Sequence, residues 1–97
     1  MEFILLSTDG PVSLYLVPKC ISENLFDYCI EFCRWIQSSP EAYKLRIDGY
    51  FPQEEFINYI NKKIITEESI KACFIKKIED SETKIPNEYK NLPHFNF

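Results

Sequence analysis

The chain has 97 residues, of which 45% are hydrophobic and 27% charged, with 15 acidic against 11 basic side chains and a net charge of −4. That composition excludes disordered and collagen-like structure and fits one small domain, because a chain this short does not divide into two independently stable cores. A pI near 5.0 opposes affinity built on phosphate neutralisation, so nucleic acid is not expected as a ligand, and with Gly10 and Gly49 as the only glycines no glycine-rich nucleotide loop can be written.

Two β-friendly runs, residues 2–8 and 12–17, flank Asp9-Gly10-Pro11 and predict an opening hairpin, with Pro18 ending the second strand. Ser22 is the expected N-cap of a helix over residues 23–37. In that stretch Leu25, Phe26, Cys29, Ile30, Phe32, Cys33 and Ile36 recur at spacings of three and four before Ser38-Ser39-Pro40 stops the pattern. Tyr43, Leu45 and Ile47 alternate with polar residues, which predicts a half-exposed strand ending at Gly49. Pro52, Glu54 and Glu55 suit the first turn of a second helix, residues 52–63, with Phe56, Ile57, Ile60 and Ile64 on its apolar stripe. Helix and strand compete over residues 67–79; the acidic, capped start favours helix, while Ile75 supports an alternating strand. Residues 81–97 read as an irregular C-terminal segment bracketed by Pro86 and Pro93. The expected class is α+β: a single domain over residues 1–97, with a mainly antiparallel sheet covered on one face by helices, in the order β-β-α-β-α-α.

The first residues lack the basic start of a signal peptide, and no run approaches the roughly 18 apolar residues of a membrane span, so a cytosolic chain with reduced cysteines and no membrane contact is expected. Cys29 and Cys33 lie four apart, within reach of one metal that Cys20, Cys73 or His94 could complete. No C-x-x-C occurs, however, and both fall on the apolar stripe, so core packing is expected and no metal or cofactor. His94, the only histidine, sits in a proline-flanked tail that is a poor place to hold a catalytic base. Glu54-Glu55 and Glu67-Glu68 diverge around a helix and complement its positive end. No catalytic site emerges, and the chain is expected not to be an enzyme.

Charge and aromatic rings carry more. Residues 1–57 hold nine acids against four bases and residues 58–97 six against seven, so the acidic half would speed encounter with a basic partner. Tyr28, Glu31 and Trp35 share a flank of the first long helix with Asp27 one turn away, and Asp48 and Tyr50 fall on the loop expected around Gly49. Rigid rings rimmed by carboxylates are what protein-binding surfaces use, although rings at the edge of a stripe also serve as packing.

In size, acidity and these surfaces the chain resembles the small acidic immunity proteins of bacterial toxin–immunity pairs, including those of contact-dependent growth inhibition. The resemblance implies a cognate toxin as partner, neutralised by covering its active site or a neighbouring surface. Asp27, Glu31 and Asp48 would then be the electrostatic partners of a basic toxin domain, and Tyr28, Trp35 and Tyr50 the desolvated anchors. Two alternatives stand beside it: a regulatory or scaffold domain binding through a strand edge or the tail, and a small enzyme using Cys20.

Overall fold

The structure, a computed structural model, describes residues 1–97. β1 (Glu2–Ser7) and β2 (Val12–Val17) form the expected hairpin, antiparallel from Glu2↔Val17 to Ser7↔Val12. Its turn needs Asp9 at φ 50°, in the left-handed region that short polar side chains tolerate best, and Asn96 holds it there: Asp9 N–H donates to Asn96 Oδ1 and Asn96 Nδ2 donates back to Asp9 Oδ1.

Four α-helices follow with no strand between them: α1 (Lys19–Glu23), α2 (Leu25–Ser38), α3 (Tyr43–Asp48) and α4 (Pro52–Lys63). Two strands then complete a four-stranded sheet, β3 (Cys73–Glu79) antiparallel to β2 and β4 (His94–Asn96) parallel to β1, in the order β3-β2-β1-β4. The fold is therefore a small α+β domain with a mixed sheet in the order β-β-α-α-β-β, each α in that scheme covering a pair of helices. The expected order β-β-α-β-α-α is corrected at three places: residues 43–48 are helix, residues 73–79 are strand, and the segment of residues 81–97 expected to be irregular ends in the strand β4, which joins the sheet. No helix is long and apolar enough to cross a membrane.

The first correction is α3, expected as a strand. Its alternation lasts only six residues and does not mark a buried face, since Tyr43 and Ile47 are 61% and 66% exposed and only Leu45 packs on the core. Arg46 secures the helix against its neighbour by donating from Nη1 to the carbonyls of Ile36 (2.5 Å) and Ser39 (2.9 Å), at the end of α2 where carbonyls lack helical partners. Gly49, at φ 85°, ends α3 by donating its N–H to Leu45 O, a conformation that costs glycine little.

The second correction is β3, in a stretch whose acidic, capped start favours helix. Only Glu68–Ile70 coils, as one 3-10 turn. Asn61 on α4 then holds Ala72 as a strand neighbour would: Ala72 N–H donates to Asn61 Oδ1 (2.7 Å) and Asn61 Nδ2 donates to Ala72 O (2.9 Å). Lys71 Nζ donates to the carbonyls of Asn61 and Ile65. The chain enters β3 already extended beside β2, and propensity gives way to tertiary pairing.

Ser22 is not an N-cap. It is buried, and its hydroxyl donates to a Glu2 carboxylate oxygen or to Lys19 O, tying α1 to β1. The helical stretch begins at Lys19 and is broken at Asn24, whose φ of −126° leaves the helical region.

The sheet buries both faces. Ile4, Leu6, Tyr15 and Val17 meet Leu25, Cys29, Phe32 and Ile36 of α2 and Phe56, Ile57 and Ile60 of α4. On the other face Leu5, Val12 and Leu14 are covered by Ile78, Ile85, Tyr89 and Leu92. The irregular segment of residues 81–97 thus closes the second face with two 3-10 turns, Glu82–Lys84 and Asn87–Tyr89, before contributing β4.

Phe32 sits at the centre of the main core, with ring centroids 5.7 Å from Phe56, 5.5 Å from Tyr59, 5.8 Å from Phe97 and 6.4 Å from Trp35. Phe32→Ala should destabilise the fold by about 3–5 kcal/mol in urea titrations, and Phe26→Ala, which truncates an exposed ring, by less than about 1 kcal/mol; equal costs would remove Phe32 from the centre. Burial, and secondarily the charge of Glu54, pushes the Tyr15 phenol from its ordinary 10.0 up to about 12. Between these values the unfolded chain releases the proton that the fold retains, so stability present below pH 10 falls as pH rises toward 12, by on the order of 2 kcal/mol. Chemical denaturation across that window should show a shallower decline for Tyr15→Phe than for the native chain.

Candidate functional site

α2 leads the outer surface. Its apolar stripe turns Leu25, Cys29, Phe32 and Ile36 inward, which leaves Asp27 and Glu31, four apart, exposed on one face. Tyr28 and Trp35 are half-buried at the border and pack on the core. Trp35 lies 5.2 Å from the Tyr59 ring, and Lys63 Nζ stands 5.4 Å from the Trp35 centroid while donating to Glu41 Oε2 at 2.8 Å. That ammonium holds the Glu41 carboxyl below its ordinary range. Burial raises the Tyr59 phenol, with the charge of Glu31 as a secondary cause.

A groove of about 490 Å³ opens where the end of α2 meets α3 and α4, and it brings together Trp35 and Asp48, two of the six residues singled out from sequence. Tyr59, Lys63 and Glu41, which are not among those six, also line it. The signal for two of them was present, since Tyr59 and Lys63 are one turn apart on α4; what joins them to Trp35 is the packing of α4 on α2, which no local pattern encodes. The groove is balanced in charge, with Glu41, Asp48 and Glu55 against Lys44, Lys62 and Lys63. Asp27, Tyr28, Glu31 and Tyr50 lie outside its lining; the first three continue along α2, and Tyr50 is exposed just past Gly49.

The cysteines occupy contrasting places. Cys29 is fully buried and Cys33 half-buried, and burial pushes both thiols up, which suits small hydrophobes and disfavours the thiolate needed for attack or metal ligation. Cys20, on α1, and Cys73, at the start of β3, are exposed.

His94 docks the tail. Its Nε2 lies 2.8 Å from Ser7 Oγ, which is also 2.7 Å from Glu82 Oε1 and 3.0 Å from Asn96 Oδ1. A hydroxyl has one proton, so Ser7 donates to Glu82 or Asn96 and accepts from the imidazole N–H. This is not a triad, because the carboxylate meets the hydroxyl and Ser7 is wholly buried. The group fastens residues 82–96 to β1, and sequence reasoning missed it because its members come from three separate segments.

The chain has no significant match among known protein families, curated proteins or solved structures.

Reaction with a chromogenic disulfide reagent should modify Cys20 and Cys73 promptly, Cys33 more slowly and Cys29 only on unfolding. Prompt modification of Cys29 in the folded protein would contradict its place in the core.

Proposed function

We propose that the chain is a non-catalytic binding protein of the immunity type, which holds a basic toxin domain against α2 and the adjoining α3 surface and so neutralises it. The observation that carries the reading is a set of uncommitted carboxylates. The ion pairs of the fold are Lys19–Glu23, Lys63–Glu41 and Lys77–Asp80, and Asp27, Glu31 and Asp48 enter none of them although all three are exposed. Asp27 and Glu31 lie outside the charge-balanced groove, so their charge faces a partner and steers its approach, whereas Asp48 lines the groove with Lys44, Lys62 and Lys63 and would exchange those neighbours for a partner's cations. Tyr28, Trp35 and Tyr50 supply aromatic area beside them, Trp35 already ordered by Phe32 and Tyr59, which lowers the entropy lost on binding. Neither metal nor cofactor enters this reading. Its compartment is the cytoplasm, where unbridged cysteines persist as thiols.

The resemblance to immunity proteins supplies the kind of partner, and the free carboxylates supply the reason a basic one would be chosen. A second reading, a scaffold domain that associates through a strand edge, is favoured by β3. This edge strand exposes Phe74 and Ile75 beside a row of unpaired backbone groups, a template for a further strand from another copy.

The test begins with proteins retained on the immobilised chain from its source cytosol at low salt, carried forward only if a basic protein binds in stoichiometric amount and loses its activity in the complex. Glu31→Lys and Asp48→Lys should then each slow association about tenfold at low ionic strength, with the difference shrinking at high salt. Unchanged association for both variants would remove this surface from the interface. Concentration-dependent sedimentation of the chain alone would support the β3 reading instead.

A further inference from the structure

On the other flank of α4 lies a second and larger cleft, of about 700 Å³, between the start of that helix and the β2–β3 side of the sheet. Its walls are unusual for a small fold. Phe51, which precedes α4, is 76% exposed, and Phe74 on β3 is 57% exposed, yet both line the same concavity. Phe74 stands edge-on to Tyr15 with centroids 5.6 Å apart, and Tyr15, buried, forms the floor.

The polar groups of the floor are already satisfied. Tyr15 Oη donates to Gln53 Oε1 at 3.1 Å, and Gln53 Nε2 is shared between Thr8 Oγ1 and Pro11 O, each at 3.3 Å. The only charged residue in the lining is Glu54. It is exposed and takes part in no ion pair. Its charge is felt inside the cleft, because it is one of the two causes that raise the Tyr15 phenol. No lysine or arginine lines the space, in contrast to the balanced groove on the Trp35 side.

Exposed aromatic faces carry negative potential, and a lone carboxylate beside them deepens it, so the complementary ligand is an organic cation with a flat apolar surface. We propose that this cleft is a binding site for the guanidinium of an arginine presented by a partner polypeptide, stacked on the rings of Phe51 and Phe74 and paired with Glu54. Arginine fits better than lysine: its planar head stacks on aromatic rings, forks onto a carboxylate and is more weakly hydrated than an ammonium. A polypeptide source fits because the cleft is larger than one side chain and meets the Trp35 groove at Asn58, which lines both. A segment lying across α4 would reach the two together. The site rests on its own residues and does not require the α2 surface to bind a toxin.

The test uses N-acetyl-arginine methylamide as the probe, titrated into the 15N-labelled chain, with N-acetyl-citrulline methylamide as its neutral isostere. The arginine derivative should shift the backbone amides of Phe51, Gln53, Glu54 and Phe74 saturably, with a Kd of about 1–10 mM, and citrulline should bind at least about tenfold more weakly. Glu54→Gln, on an exposed position, should weaken arginine about fivefold or more, and Phe74→Ala should do the same while the spectrum stays dispersed. The proposal is overturned if those amides do not respond, if citrulline matches arginine, or if Glu54→Gln leaves the titration unchanged. Because no macromolecular partner is used, failure here leaves the α2 reading standing, and failure of the Glu31 and Asp48 variants leaves this site standing.

Discussion

The fold depends on one ring. Phe32 is the point at which α2, α4 and the end of the chain meet, since its faces and edges are filled by Trp35 from its own helix, Phe56 and Tyr59 from α4, and Phe97 beyond β4. Phe97 in turn packs on Phe56 and Phe95, so the aromatic group bridges helices and sheet. Aromatic pairs of this kind add to the free energy of burial and favour particular ring angles, which orients elements as well as joining them. Trp35 owes its half-exposed position to this packing, and the Trp35 groove owes its shape to it.

The two flanks of α4 illustrate how a short helix can present different chemistry on either side. Toward α3 the lysines of its last turn, Lys62 and Lys63, complement the helix dipole and balance the carboxylates opposite them. Toward β3, Glu54 stands in the first turn with aromatic neighbours and no cation nearby. Glutamate at the first turn and lysine at the last both complement the helix dipole, and the packing of α3 and β3 on either side of α4 divides its surface into two concavities, only one of which holds lysine.

Where the sequence could be read, burial and periodicity agreed. The hairpin follows from its alternating runs and its turn residues, α4 from proline, paired glutamates and an apolar stripe, and α2 from spacings of three and four that the core occupies at Leu25, Cys29, Phe32 and Ile36. The alternation of residues 43–48 misleads because two of its three apolar side chains face outward, so no buried face stands behind the pattern. β3 depends on Asn61 and on Lys71, side chains that act across the fold and leave no local trace. β4 has three residues, and its pairing with β1 is fastened by Ser7 and Asn96, 89 positions apart. Of the candidate surface, Asp27 and Glu31 were legible as the outer face of an amphipathic helix. The meeting of Trp35 with Asp48 requires the turn through α3, and the cleft of Phe51 and Phe74 requires β3 to be a strand.

The parallel pairing of β1 with β4 sets an order on biosynthesis. As the chain emerges during translation, the hairpin, α2 and α4 can collapse early, but one edge of β1 and the aromatic surface around Phe32 and Phe56 stay open until residues 94–97 have been made. Until then Ser7 lacks the side chains of Glu82, His94 and Asn96 that satisfy it. The nascent protein therefore carries an unpaired strand edge beside bare aromatic rings, the combination that holdase chaperones shield and that favours aggregation when synthesis stalls.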